Sequence, residues 1–125
     1  MNVSCGTDII EIERIRDSIE STGESFIDRV FTKKEISYCE SRKKQKYQHY
    51  AARFAAKEAT FKAISCILND KYSITWKDIE VVNNKQGRPI VNLYGVEAEE
   101  KIQNIDISIS HCKEYAVANV VILYK

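Results

Sequence analysis

The chain has 125 residues, of which 44% are hydrophobic and 30% are charged, and its formal net charge at pH 7 is +1. This length suits one domain with a hydrophobic core, so residues 1–125 are predicted to form a single domain. The composition excludes a disordered chain, and the small net charge gives no indication of nucleic-acid binding. No segment approaches the roughly 20 apolar residues of a membrane-spanning helix, so no membrane association is expected.

The cysteines give no sign of a zinc site or a disulfide framework. Cys5, Cys39, Cys66 and Cys112 are scattered, and no two have the spacing of a Cys-x-x-Cys pair. We therefore expect reduced thiols. The first residues also lack a basic segment followed by an apolar run, which is the pattern of a secretory signal. Together these features lead us to expect a cytoplasmic location.

Helical patterns dominate the first half of the chain. The segment 5–14 begins like a strand and ends like a helix start, with Gly6 at the predicted bend and Asp8 at its edge. Helices are predicted over residues 11–21 and, in an alanine-rich segment, over residues 48–68. Thr32 and Glu35 have the spacing of a capping box, which predicts another helix start between these two.

Strand patterns dominate the second half. Strands are predicted over residues 73–82, 89–93, 105–110 and 115–123, with a short helix over 96–103. Turn residues at 83–87 and 111–114 favour antiparallel hairpins. Isoleucines alternate with polar residues over 105–110, which places the isoleucines on the core face and His111 at the strand's end. The predicted class is α+β, with an antiparallel sheet packed against the long central helix.

Charged side chains interrupt the alanine-rich helix. Glu58 and Lys62 lie about 40° apart on the helix wheel, while Arg53 and Lys57 project to another side. Charges on a buried helix must be paired, hydrated or bound to something. Glu58 and Lys62 form either an ordinary ion pair or part of a binding site, and Asp8 is either a helix cap or a member of that site.

The neighbouring Ser110 and His111 do not indicate a serine hydrolase. The chain has no Gly-x-Ser-x-Gly turn, and adjacent residues of a strand point to opposite faces. A histidine in a hairpin turn is often simply solvated, but His111 is also a candidate to contact a phosphate, as is Arg53.

Several segments, taken in order, closely resemble the motifs of the holo-acyl-carrier-protein synthases, the short single-domain class of phosphopantetheinyl transferases. The segments are Gly6-Thr7-Asp8-Ile9-Ile10-Glu11-Ile12-Glu13-Arg14-Ile15, Phe54-Ala55-Ala56-Lys57-Glu58-Ala59 with Lys62, Gly87-Arg88-Pro89, and Ser108-Ile109-Ser110-His111 followed by Tyr115-Ala116-Val117-Ala118. The resemblance covers nearly the whole chain, and it implies the phosphopantetheinyl transferase fold.

The resemblance implies an enzyme that transfers the 4'-phosphopantetheine group of coenzyme A to a serine of apo-acyl carrier protein, releasing adenosine 3',5'-bisphosphate. Asp8 and Glu58 match the family's ligands for Mg²⁺, the implied cofactor, which neutralises pyrophosphate charge. Glu58, or a water on the metal that it orients, is the implied acceptor of the serine proton. Lys62 is implied to stabilise charge on the pyrophosphate, which makes Asp8, Glu58 and Lys62 the expected catalytic residues.

The resemblance also implies how coenzyme A, a substrate, is held. Arg53 and His111 match positions near its ribose phosphate, and the loop Gly87-Arg88-Pro89 matches a contact with the nucleotide. Lys57 and Ser110, together with Lys62, complete the expected coenzyme A-binding set.

Partners are implied by the same resemblance. Arg14 matches a position on the first helix that contacts the acidic carrier protein. Members of this class resemble one another in forming homotrimers with active sites at subunit boundaries, so we expect a homotrimer. The resemblance also implies a role in fatty acid biosynthesis.

One segment departs from the family pattern. In family members a short Gly-Thr-Gly turn commonly follows the lysine matched by Lys62. This chain instead reads Ala63-Ile64-Ser65-Cys66, so we expect the helix to extend further.

Two other hypotheses remain for the function. One is a non-catalytic coenzyme A or nucleotide-binding module on the same fold, and the other is an RNA-binding domain that uses the lysine-rich segment at residues 42–46. The retained Asp8, Glu58 and Lys62 disfavour the first, and the near-neutral charge disfavours the second.

Overall fold

Helices follow the opening strand and occupy the first half of the chain, and strands occupy the second half. The computed structural model describes residues 1–96 and 98–125. Its elements are β1 (Asn2–Glu11), α1 (Ile12–Thr22), α2 (Glu24–Val30), α3 (Lys33–Ser41), α4 (Lys46–Ile64), β2 (Ile79–Asn83), β3 (Pro89–Leu93), β4 (Ile102–His111) and β5 (Tyr115–Tyr124). The predicted α+β class with antiparallel pairing is confirmed.

The strands form two separate antiparallel sheets. One has the order β1-β5-β4, and the other is the β2–β3 hairpin. In the larger sheet Gly6 lies opposite Val120, and Ile107 also lies opposite Val120 from the other side. Ile107 is buried while Asp106 and Ser108 are exposed, so the alternation predicted along β4 is confirmed.

Helix α4 packs against one face of the larger sheet through its alanines. Ala55, Ala59 and Ala63 are fully buried in one core cluster with Val120 of β5. Gly6 makes this approach possible, since a Cβ there would lie 2.1 Å from the Ala59 carbonyl oxygen. The prediction of a bend at Gly6 is therefore wrong: β1 runs through it to Glu11, and the glycine serves close packing instead.

A second core cluster lies between the first three helices and the start of α4. The inward face of α1 carries Ile12, Ile15 and Ile19, which pack with Phe31 and Tyr50. The capping box that begins α3 is confirmed: Thr32 and Glu35 exchange side-chain and backbone hydrogen bonds. None of the described helices has the length and apolar character needed to cross a membrane.

Three predicted elements differ most from the structure. The strand predicted over 73–82 begins only at Ile79, because the Asp70 carboxylate accepts the Tyr72 N–H and the backbone forms 3₁₀ turns at Lys71–Ser73 and Trp76–Asp78. Helix α4 spans Lys46–Ile64 rather than 48–68. Within the predicted helix 96–103, residue 97 lies outside the described residues, a 3₁₀ turn covers Glu99–Lys101, and β4 begins at Ile102.

Candidate functional site

Asp8, Glu58 and Lys62 come together where β1 crosses α4. The Lys62 ammonium donates to Asp8 Oδ1 at 3.1 Å and to the Thr7 carbonyl oxygen at 3.0 Å. The ion pair of Lys62 is thus made with Asp8, across 54 residues of sequence, rather than with Glu58 four residues away. Asp8 also lies within β1 instead of capping a helix, since α1 begins after Glu11.

The carboxyl group of Glu58 is half-buried and faces a second negative charge. Burial raises its pKa above the usual range for a glutamate, the nearby Asp8 carboxylate raises it further, and Lys62 partly opposes both effects. Two carboxylates held near each other repel, and a bound cation reduces this repulsion. One or two carboxylates, with phosphate oxygens of a substrate, are the ligands that Mg²⁺ takes in phosphoryl-transfer sites.

The donor set therefore fits Mg²⁺ bound jointly by protein and substrate. Within residues 1–96 and 98–125, no cluster of three or more histidine, cysteine, aspartate or glutamate side chains has the arrangement of a metal site. A site of two carboxylates leaves the remaining positions to substrate oxygens and water, which is the usual arrangement for this ion.

An apolar pocket adjoins Glu58. It has a volume of about 250 Å³ and is lined mainly by Phe61 of α4, by Tyr72 and Trp76 from the segment before β2, and by Ile79. Sequence reasoning missed this pocket, because it assigned residues 73–82, which include Trp76 and Ile79, to a strand and gave no reason for them to meet Phe61 of the helix.

Arg53 and His111 approach a common cluster of aromatic rings, although they are 58 positions apart. The Arg53 guanidinium lies 4.0 Å from the centre of the Tyr38 ring. His49, one turn before Arg53 on α4, packs edge-on against Tyr38 at 5.3 Å and against His111 at 5.8 Å between ring centres. Sequence reasoning missed Tyr38 and His49, although the four-residue spacing of His49 and Arg53 on one helix was a usable signal.

Lys57 is buried, and its charged group is held inside the protein. Its side chain is 0% exposed and its ammonium donates to Glu35 Oε1 at 2.6 Å. The other oxygen of Glu35 accepts the Val81 N–H at 2.8 Å, so this buried ion pair joins α4 to α3 and β2. The contacts of Lys57 account for its charge without a bound molecule.

The remaining predicted residues lie at the surface. In the β2–β3 turn, Gly87 has φ 82° and the exposed Arg88 guanidinium donates to Asp106 of β4 at 2.9 Å. Ser110 is exposed near the end of β4, and Arg14 is exposed on α1. Among the described residues, no salt bridge joins Arg88 or Arg14 to Asp8 or Glu58.

Comparison with known proteins gives concordant matches. The family model described as the 4'-phosphopantetheinyl transferase superfamily matches residues 4–120. A relative from Ruminiclostridium cellulolyticum, named holo-[acyl-carrier-protein] synthase, is 46% identical over 98% of this chain and 92% of its own length. Two solved structures are similar over nearly their whole length. The Chronobacterium ammoniagenes ACPS-CoA complex matches with a TM-score of 0.83 and 28% identity. The match covers 100% of this chain and 99% of that structure's chain. A Bacillus anthracis holo-(acyl-carrier-protein) synthase in complex with CoA (3',5'-ADP) has a TM-score of 0.78, 34% identity and 95% and 94% coverage.

Proposed function

Because the chain belongs to the 4'-phosphopantetheinyl transferase superfamily, we propose that it is a holo-[acyl-carrier-protein] synthase. In this proposal it transfers the 4'-phosphopantetheine group of coenzyme A to a serine of apo-acyl carrier protein and releases adenosine 3',5'-bisphosphate. The observation that carries the proposal is the meeting of Asp8, Glu58 and Lys62 at one point of the surface. Relatives with this name and solved complexes with coenzyme A support it.

The chemistry assigned to these three residues follows from their contacts. Asp8 and Glu58 would hold Mg²⁺, which supplies charge neutralisation at the pyrophosphate when it is bound. Glu58 has a raised pKa and lies beside Asp8. A raised pKa suits a carboxylate that accepts the proton of the attacking serine. Lys62, whose side chain is half exposed, is free to turn from Asp8 towards the phosphates and stabilise their charge.

The two ends of the nucleotide are proposed to meet different subunits of the homotrimer. Arg53 and Lys62 are nine residues apart on α4, which places them about 13.5 Å apart along the axis and on opposite sides of the helix, so one nucleotide would reach both kinds of residue only across a subunit boundary. We assign the ribose phosphate of coenzyme A to Arg53 and His111, and its pyrophosphate to Lys62. Ser110 lies beside His111, and Gly87-Arg88-Pro89 is proposed to contact the nucleotide. Lys57 is not assigned a charged contact with the nucleotide, because its ammonium is held by Glu35; its side chain only helps to line the pocket beside Glu58.

The pocket beside Glu58 suits the pantetheine arm. It is lined mostly by apolar side chains, including Phe61 and Trp76, and Glu58, the residue assigned to Mg²⁺ and to the serine proton, is part of its lining. An apolar pocket that begins at the reaction centre excludes water from it.

A homotrimer is proposed for the assembly. The face of the larger sheet that turns away from α4 exposes Val3 and Ile9 of β1 and Tyr115 and Val121 of β5, each more than 40% exposed. These residues share a face, since Val121 lies opposite Cys5 and Tyr115 opposite Glu11 in the register. The exposed Thr7–Asn119 hydrogen bond divides these apolar side chains into two groups, and exposed apolar patches on a sheet face suit an interface between subunits. Light scattering of the purified protein measures the number of subunits directly.

The acceptor and the setting of the reaction are also part of the proposal. Arg14 is exposed on α1, where it can meet an acidic carrier protein. We place the reaction in the cytoplasm and, as the resemblance implies, in fatty acid biosynthesis.

The test is incubation of the protein with coenzyme A, Mg²⁺ and apo-acyl carrier protein, followed by mass spectrometry of the carrier. We expect the carrier to gain one phosphopantetheine group on a serine, and chelation of divalent ions to stop the gain. Binding of coenzyme A with no modified carrier would contradict the proposal and favour the alternative, a non-catalytic coenzyme A-binding module.

A further inference from the structure

A cluster of basic side chains surrounds His49. Arg53 faces it from α4, His111 faces it from the end of β4, and Arg42 faces it from the position directly after α3. Tyr38 of α3 packs against the ring of His49 and lies beneath the guanidinium groups of both Arg53 and Arg42, at 4.0 and 5.6 Å from the ring centre. Three elements thus contribute positive or titratable groups to one small region.

This cluster carries positive charge that the protein does not balance. In the part of the chain that the structure describes, neither Arg42 nor Arg53 forms a salt bridge, and no carboxylate contributes to the electrostatic environment of His49. Arg53 is only 4% exposed, and its Nε is a buried donor without a hydrogen-bond partner among the described residues. An unsatisfied buried donor on a charged group is costly, so the region is built to receive an anion.

His49 is uncharged while the anion is absent. Partial burial lowers the pKa of His49 to about 4, and the charges of Arg53, Arg42 and His111 act in the same direction. A neutral imidazole has one N–H donor, whereas the protonated ring has two. A doubly charged phosphate placed among these groups offsets the two positive charges of Arg42 and Arg53 and offers a hydrogen-bond acceptor to the ring, so it favours the protonated form.

We propose that His49 is a specificity-determining residue that takes up a proton from solvent when the 3'-phosphate of the nucleotide binds, and then donates a hydrogen bond to that phosphate. This inference rests on the proposed function, because it takes the ribose phosphate of coenzyme A as the anion at Arg53. The phosphate keeps both negative charges, and the proton passes from the buffer to the imidazole.

The sign of the pH dependence follows from linkage. A group that is more basic in the complex than in the free protein strengthens binding as pH falls through its bound pKa, until the free pKa near 4 is reached. The nucleotide's own phosphate loses charge below about pH 6, which weakens binding. Comparing the protein with a His49 variant removes this second effect, since both bind the same nucleotide.

The experiment is calorimetry at pH 6.5 in two buffers of different ionisation enthalpy, with adenosine 3',5'-bisphosphate as the probe and adenosine 5'-monophosphate as the control ligand. For the unaltered protein we expect uptake of about one proton more per bound bisphosphate than for His49→Gln. We also expect His49→Gln to lower the preference for the bisphosphate over the monophosphate by about tenfold. Equal proton uptake by the two proteins, or an unchanged preference, would overturn the inference.

A spectroscopic measurement covers the case in which His49→Gln does not fold. The chain has two histidines, so the imidazole signals in a nuclear magnetic resonance titration are assigned with His111→Gln alone. We expect the His49 ring to be neutral at pH 6.5 in the free protein and protonated in the bisphosphate complex. A ring that stays neutral in the complex overturns the role of His49, whereas equal affinity for both nucleotides in the unaltered protein contradicts the proposed nucleotide site itself.

Discussion

Replacement of Lys57 by methionine is expected to destabilise the fold strongly, because it leaves a buried carboxylate without its counter-charge. Lys57 and Glu35 are both 0% exposed and their charged groups lie 2.6 Å apart. After the change, Glu35 keeps only the backbone N–H groups of Thr32 and Val81, each at 2.8 Å, as donors. Removal of one partner of a buried ion pair costs about 3–5 kcal/mol.

Urea unfolding measures this cost, with the fluorescence of Trp76, the chain's single tryptophan, as the signal. With a slope of about 2 kcal/mol per molar urea, a loss of about 4 kcal/mol lowers the unfolding midpoint by about 2 M. The double variant Glu35→Gln with Lys57→Met should recover part of the loss, because no buried charge remains unpaired.

The exposed ion pair between Arg16 and Glu20 provides the matched control. Arg16→Met should leave the midpoint essentially unchanged, because surface ion pairs contribute little. If Lys57→Met unfolded at the same urea concentration as the unaltered protein, the buried pair would have no role in stability and our reasoning about Lys57 would be refuted.

Three further predictions concern packing, electrostatics and carrier recognition. Gly6→Ala should prevent normal packing of β1 on α4, because its Cβ would lie 2.1 Å from the Ala59 carbonyl oxygen; circular dichroism should show an earlier thermal transition, and an unchanged one would contradict the close approach. Asp8→Asn should lower the pKa of Glu58 and Lys62→Met should raise it, since their charges act on that pKa in opposite directions; carbon resonances of the carboxyl measure both, and shifts of equal sign would refute this electrostatic account. Arg14→Glu should raise the Michaelis constant for the carrier protein much more than that for coenzyme A, because it places like charges at the proposed contact; steady-state kinetics with each substrate varied decides this, and equal effects would place the carrier elsewhere.

Much of the secondary structure was predictable because its signals are local. The capping box at Thr32 and Glu35 involves residues three apart, and the alternation in β4 needs only the strand's own side chains. The 3₁₀ turns before β2 were not predicted, because side-chain oxygens such as that of Asp70 compete with strand pairing for backbone N–H groups. The end of α4 at Ile64 was also missed; Ser65 and Cys66 there donate to backbone carbonyls of the last turn.

The sequence singled out Asp8, Glu58 and Lys62, but it did not indicate which of these residues pair with one another. Periodicity placed Glu58 and Lys62 on one side of a helix, but it could not show that Lys62 pairs with Asp8 of a distant strand. The contact of His49 with His111 likewise depends on the packing of α4 against the end of β4. Burial of Lys57 against Glu35 depends on where α3 lies, which no local pattern specifies.

The most direct measurement of the central claim is the initial rate of holo-carrier formation by Glu58→Gln at saturating coenzyme A, Mg²⁺ and carrier. The amide keeps the shape of the side chain but removes a negative charge and the proton acceptor, so we predict a rate at least about 100-fold lower with an unchanged melting temperature. Glu24→Gln, an exposed carboxylate at the start of α2, is the control and should keep the full rate. Loss of a general base lowers the rate by much more than about twofold. A rate for Glu58→Gln within about twofold of the unaltered protein would therefore contradict the assignment of the transfer site to Asp8, Glu58 and Lys62.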